Sequence, residues 1–287
     1  MNKFLVASAG AIALFAAQPA TAADLPVKAP RQVPVVEVWS WNGFYIGGNV
    51  GYSWGRSDTD VEYFSTVTGL PIAPPAGSIT SQKFNMNGWL AGGQVGYNIQ
   101  SNNWVYGIEI DGQWTGQKGD ANFLCAAVAV SAGPCLPGLT FLPGGVTGAA
   151  LSLEEKLQWF VTVRGRVGVL AQPSTLLYVT GGLAFGSVKA NGVLASTNAQ
   201  LVATSLAFSD KDTNAGWTVG AGIEHRIAGN WTAKLEYLYM DLGTFHYTVA
   251  FPAAPTIGAR INSDVTDHIV RIGLNYKWGP TPVVARY

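Results

Sequence analysis

The sequence predicts an all-β fold, an eight-stranded antiparallel transmembrane up-and-down β-barrel. Three observations lead there. Apolar and polar residues alternate strictly over stretches of about ten residues, as in Lys156–Leu170 (KLQWFVTVRGRVGVL), and a period of two sends successive side chains to opposite faces of a strand. Short and long connections between these stretches alternate without exception. Aromatic residues collect near the ends of the stretches.

The N-terminus is treated separately. Lys3 precedes the apolar run Phe4–Ala17, and Ala20-Thr21-Ala22 forms a small-x-small site, which together describe a cleaved signal peptide over 1–22 and an exported mature chain. Residues 23–40 are punctuated by prolines (DLPVKAPRQVPVVEVWS from Asp24 to Ser40). Proline cannot donate to a central ladder, so this segment reads as an extended periplasmic arm. The barrel is assigned to 41–278 and a C-terminal periplasmic tail to 279–287.

Eight strands follow in order: Phe44–Trp54, Trp89–Ile99, Trp104–Trp114, Lys156–Leu170, Leu177–Phe185, Trp217–Ile227, Trp231–Tyr239 and His268–Trp278. The fifth and seventh alternate least cleanly. Gln100–Asn103, Ala171–Thr175 and Ala228–Asn230 are tight turns, whereas Gly55–Ser81, Gly116–Ser152, Lys189–Thr213 and Gly243–Ser263 are long. Short turns at one end and long loops at the other, with both termini on the short-turn side, are the layout of an outer-membrane barrel with a periplasmic and an external end. Each strand is near the ~9–11 residues needed to cross a bilayer at a tilt. Only a closed barrel pairs every backbone group of a sheet in hydrocarbon. Trp41, Phe44, Tyr97, Trp104, Trp231, Tyr276 and Trp278 are expected as the periplasmic aromatic girdle, with Trp54, Trp114, Trp217 and Tyr239 as the outer one.

The polar faces then point inward. They carry Glu109, Asp111, Glu224 and Glu236 against Arg164, Arg166, Arg226, Lys234 and Arg271. Glu109 and Arg164 fall at similar heights on neighbouring strands, and Glu224 falls nearly opposite Lys234 across a tight turn. Such charges suit either a selectivity ring in a narrow pore or a salt-bridged plug, and a barrel this small favours the plug. The phrases GGNVGY (Gly47–Tyr52) and GGQVGY (Gly92–Tyr97) each turn two glycines inward, leaving room for arginines from the far wall. No helix follows either phrase, so neither reads as a phosphate loop.

The chain has 287 residues, with 17 basic and 17 acidic side chains and only 12% charged residues. A neutral chain without Lys/Arg clustering gives no electrostatic case for nucleic acid. In an exported chain the close pair Cys125 and Cys135 is expected to form a disulfide. Neither a metal cluster nor a cofactor motif is apparent. The three histidines are badly placed for an enzyme: His225 has lipid-facing parity, His246 falls by a long loop, and His268 adjoins Asp267 at the outer end of the last strand.

WNGFYIGGNVGY near the start and HIVRIGLNYKW near the end resemble the small outer-membrane β-barrel family of alphaproteobacteria, whose members are described as porin-like or major immunoreactive outer-membrane proteins. The resemblance covers the mature chain from about Trp39. It implies that Leu274, Tyr276 and Trp278, with Tyr287 as a terminal aromatic, form the signal read by the barrel-insertion machinery. It also implies an abundant envelope protein in contact with outer-membrane lipid and lipopolysaccharide, with a host or surface partner reached through its loops. The function expected is therefore a non-enzymatic surface role with four exposed loops and a salt-bridged interior, the alternative being a narrow channel for small solutes.

Overall fold

In a computed structural model, the described residues are 36–37, 39–71, 81–125, 146–198, 203–250, 257–278 and 283–284. Eight antiparallel strands close into one barrel: β1 Gly43–Ser65, β2 Ser81–Ser101, β3 Trp104–Cys125, β4 Val146–Gln172, β5 Thr175–Asn198, β6 Ala203–Ala228, β7 Trp231–Ala250 and β8 Ile257–Trp278. Each pairs with the next in sequence, and β8 returns to β1, with Phe44 opposite Trp278. In a separate unit, Val36–Glu37 pairs antiparallel with Val283–Val284. The signal-peptide segment, most of the arm and Tyr287 lie outside the described residues.

Three two-residue turns close the short-turn end. Asn102 and Gly229 adopt positive φ there, a conformation that asparagine and glycine tolerate best.

The strands are far longer than the sequence pattern suggested. They run 20 to 27 residues, and they extend into all four segments read as long loops, making up most of Lys189–Thr213 and Gly243–Ser263. The reason lies in the phase of the alternation. On β8, Val270, Ile272, Leu274 and Trp278 are exposed on the outside, whereas Ile269, Val265 and Ile261 are buried inside. The apolar face therefore changes sides at Ile269–Val270. Below that point the strand is apolar outward and polar inward. Above it, Arg260, Asn262, Asp264 and Thr266 alternate with the buried side chains and face outward, as on the outside of a water-soluble barrel. At ~3.3 Å per residue, 22 residues extend about 70 Å along the strand, which at a ~40° tilt is well beyond an apolar band ~25 Å tall. A barrel wall continues past that band.

The outward band itself is apolar all round. Ile108 (63% exposed), Val179 (62%) and Trp114 (71%) show how fully these side chains face away from the protein, an arrangement tolerated only in a membrane or an interface. Phe44 with Tyr97 and Trp231 with Tyr276 pack edge to face at its lower rim, and Trp217 packs against Tyr239 at a tilt at its upper rim. Trp41 departs from the girdle expected of it. It is buried, its indole Nε1 donating to the Pro173 carbonyl at 3.2 Å, because it precedes β1 and folds across the barrel mouth.

Candidate functional site: the filled barrel interior

Three layers occupy the interior. At the short-turn end, Trp39, Trp41, Val105, Leu176 and Tyr178 form an apolar plug. The Arg226 guanidinium and the Lys277 ammonium lie 4.5 and 4.7 Å from the Trp39 ring centre, cation–π contacts that hold the indole at the mouth. Arg226 also donates to the Gly229 carbonyl at 2.9 Å. It belongs to this rim and is not part of the charged interior the sequence assigned it to, because it is the last inward residue of β6 before the turn.

The second layer is ionic. Glu109 and Arg164 stand directly opposite each other on β3 and β4, with Arg164 Nη2 2.5 Å from Glu109 Oε1 and 2.9 Å from Asp111 Oδ2. Arg271 on β8 bridges Asp111 at 2.8 Å and Glu236 at 2.6 Å. Arg166 reaches Glu224 at 2.8 Å, its guanidinium between the rings of Tyr45 and Tyr178 at 5.1 and 4.8 Å. Glu224 and Lys234 are opposite in register, yet Lys234 crosses the lumen to Glu109, at 2.9 and 3.0 Å. Glu224 is held instead by Arg166, Thr232 and Asn275. Four carboxylates thus face four cations, all buried. That balance is what a low-dielectric interior demands, since an isolated buried charge costs several kcal/mol.

Tyr45 and Tyr178 are members that the sequence reading passed over. Tyr45 donates to Glu109 at 2.8 Å and Tyr178 to Glu236 at 2.9 Å. Their signal was present as parity: each sits between two lipid-facing residues, Phe44 and Ile46 or Leu177 and Val179. Tyr45 also accounts for one of the inward glycines, and all four make space for near neighbours rather than for arginines from the far wall. A Cβ on Gly96 would stand 2.3 Å from the Tyr45 hydroxyl, and one on Gly51 would meet Arg271 Cβ, on the adjoining strand, at 2.8 Å.

The third layer, on the long-connection side, is apolar: Met86, Leu90, Leu153, Leu157, Phe160, Val188, Leu238, Met240, Phe245, Ile261, Val265 and Ile269, among others. This layer is why β5 and β7 alternate poorly in sequence, for Ala184, Leu238 and Met240 are apolar on the inner face as well. Among the described residues, two carboxyls within it have no cation at salt-bridge distance. Asp267 accepts from Gln117 at 2.9 Å and from Ser53. Glu155 accepts from Ser57 at 2.9 Å and Ser263 at 3.1 Å.

His268 points outward to the Tyr237 hydroxyl at 2.7 Å, so it and the inward Asp267 leave the strand on opposite faces. His225 contacts Thr175 at 2.9 Å and His246 contacts Asn262 at 2.8 Å, both on exposed surface. Among the described residues, no group of three or more His, Cys, Asp or Glu could hold a metal. Leu274 and Trp278 are exposed on the outer face of β8, with Tyr276 packed against Trp278. Cys125 ends β3, and Cys135 lies outside the described residues.

The chain is similar to known proteins along nearly its whole length. It is 37% identical over 286 residues to the "31 kDa outer-membrane immunogenic protein" of Brucella melitensis biotype 1, covering 97% of this chain and all of that one. To the "22 kDa outer membrane protein" of Rhizobium leguminosarum bv. viciae it is 33% identical over 217 residues, covering 76% of this chain and 72% of the relative. Among solved structures, the outer membrane protein OprG of Pseudomonas aeruginosa aligns at a TM-score of 0.47 and 12% identity, over 83% of this chain and 97% of that one. The family model for the outer membrane protein beta-barrel domain matches residues 7–277. A closed eight-stranded barrel with an apolar outer band, matched by that model over almost its whole length, belongs to the outer membrane protein beta-barrel family and resides in the outer membrane.

Proposed function

We propose that this protein is a non-enzymatic, non-conducting wall element of the outer membrane, whose barrel continues outward as a rigid stalk presenting four surface connections. The filled lumen carries this reading. Arg164, Arg271, Phe160, Leu157 and Leu238, each below 2% exposed, stack across its whole section in successive layers. An eight-stranded barrel has just enough interior for such side chains, and removing them as a passing solute would require means breaking the ion network. The short-turn end faces the periplasm and the long connections face outward, as is usual for barrels of this kind. A surface role accords with relatives named immunogenic outer-membrane proteins.

The runner-up, a narrow channel for small solutes, draws on the same inward charges. Planar-bilayer recording of the refolded protein separates the two. The wall reading expects no unitary current above the bare membrane. Reproducible, ion-selective steps that change when Glu109 is neutralised would replace it with the channel.

A further inference from the structure

Four lysines stand side by side on the outside of the barrel. Lys118 on β3 is opposite Lys156 on β4, Lys156 is opposite Lys189 on β5, and Lys189 is opposite Lys211 on β6. All four are at least partly exposed. Like charges directly opposite on neighbouring strands repel, and here three such pairs run consecutively over three interstrand spacings of ~4.8 Å. The carboxylates alongside offset them only in part. Glu154 pairs with Lys156 at 2.6 Å, and Asp120 lies opposite Glu154 one row further out. Among the described residues, Lys118, Lys189 and Lys211 have no carboxylate within salt-bridge distance.

On β3 and β4 the row lies just beyond the paired rim residues Trp114 and Trp159, where the outer-membrane placement would bring lipid headgroups. Paired irregularities in β3 between Trp114 and Gln117 and in β4 between Leu157 and Trp159 open a surface cavity of about 480 Å³ there. Its walls are Trp114 and Trp159 on one side and Lys118 and Lys156 on the other, with Gln158 between them. Bulges at barrel rims commonly re-aim side chains for a purpose. Across β1 and β2 the outward charges are instead mixed in sign, with Lys83 opposite Asp58 and 2.7 Å from it.

We infer that the cavity and lysine row bind the headgroup of an outer-leaflet glycolipid whose sugars carry phosphate, with indoles against the sugar and acyl root and ammonium groups on the phosphates. The inference rests on the outer-membrane placement and on the long connections facing outward.

The test uses full-length refolded protein in detergent with diphosphoryl lipid A as probe, scored by native mass spectrometry and by the rise in unfolding midpoint. Wild type should retain the probe and be stabilised by it. Replacing all four lysines by glutamine should weaken retention at least tenfold and abolish the stabilisation, with heat-modifiable migration intact. Lys156→Gln with Lys189→Gln serves the same purpose should the fourfold variant not refold, and Lys83→Gln should change nothing. Lipid A stripped of phosphate should bind wild type no better than the variant. Unchanged retention by the lysine variants overturns the site. Equal competition by inorganic phosphate, phosphatidylglycerol or an acidic polysaccharide reduces it to a general anion surface and overturns the glycolipid assignment. A wild-type protein without heat modifiability or bilayer insertion would count against the membrane reading itself.

Discussion

Lys234 bonds to Glu109 across the lumen although Glu224 faces it directly on the neighbouring strand. Glu109 is consequently shared: Arg164, Lys234 and Tyr45 all donate to it.

That sharing sets the outcome of removing it. Arg164 keeps Asp111 and Glu236 when Glu109 is lost, whereas Lys234 has no other carboxylate within salt-bridge distance among the described residues. Glu109→Ala should therefore lower stability by ~3–5 kcal/mol, the usual cost of stranding a buried charge. Adding Lys234→Met should recover more of it than adding Arg164→Met. Urea unfolding midpoints of the three variants in one detergent provide the check, and equal recovery by both second substitutions would contradict this partner assignment.

Glu155 makes a prediction about pH. It lies above the membrane band, and burial raises its carboxyl above the ordinary glutamate range, opposed by hydrogen bonds from Ser57 and Ser263. A carboxyl whose folded pKa exceeds its unfolded value stabilises the fold at low pH, and that contribution is lost as pH rises through the folded pKa. Glu155→Gln should match wild type near pH 4 and exceed it at pH 8 by on the order of 1–3 kcal/mol, the range for an imperfectly satisfied buried group. A variant less stable than wild type at pH 8 would show that the carboxylate is held by something further.

Orientation is tested by single cysteines in a background with Cys125 and Cys135 replaced by serine. Val67→Cys, in the exposed turn after β1, should react with a membrane-impermeant maleimide on intact cells. Asn103→Cys, in the β2–β3 turn, should react only after the outer membrane is permeabilised. The opposite pattern would invert the barrel.

We propose a Cys125–Cys135 bridge in the connection after β3, worth roughly 2–3 kcal/mol through restriction of the unfolded chain for so short a loop. Protein denatured without reductant should then titrate no free thiol. Two titrated thiols would remove the bridge.

Much of this molecule is legible in its sequence because the constraints involved are local. Alternation at period two assigns a face to each residue of Val270–Trp278, and hydrocarbon on one side leaves that assignment no latitude. Strand number, the position of tight turns, and the inward parity of Glu109, Asp111, Arg164 and Arg271 all follow from it. Tyr45 and Tyr178 are readable by the same parity, each lying between two lipid-facing neighbours.

Tertiary structure decided the rest, for two physical reasons. The medium outside the barrel changes along each strand, so the apolar phase reverses at Ile269–Val270. Read without knowledge of where the lipid ends, that reversal looks like the end of a strand. Closure also brings together residues far apart in sequence across a lumen only a few side chains wide. Lys234 therefore takes Glu109, Trp41 folds into the mouth and Arg226 is drawn to Trp39, because an interior partner is chosen by reach and charge balance across the barrel and not by the neighbouring position in the ladder.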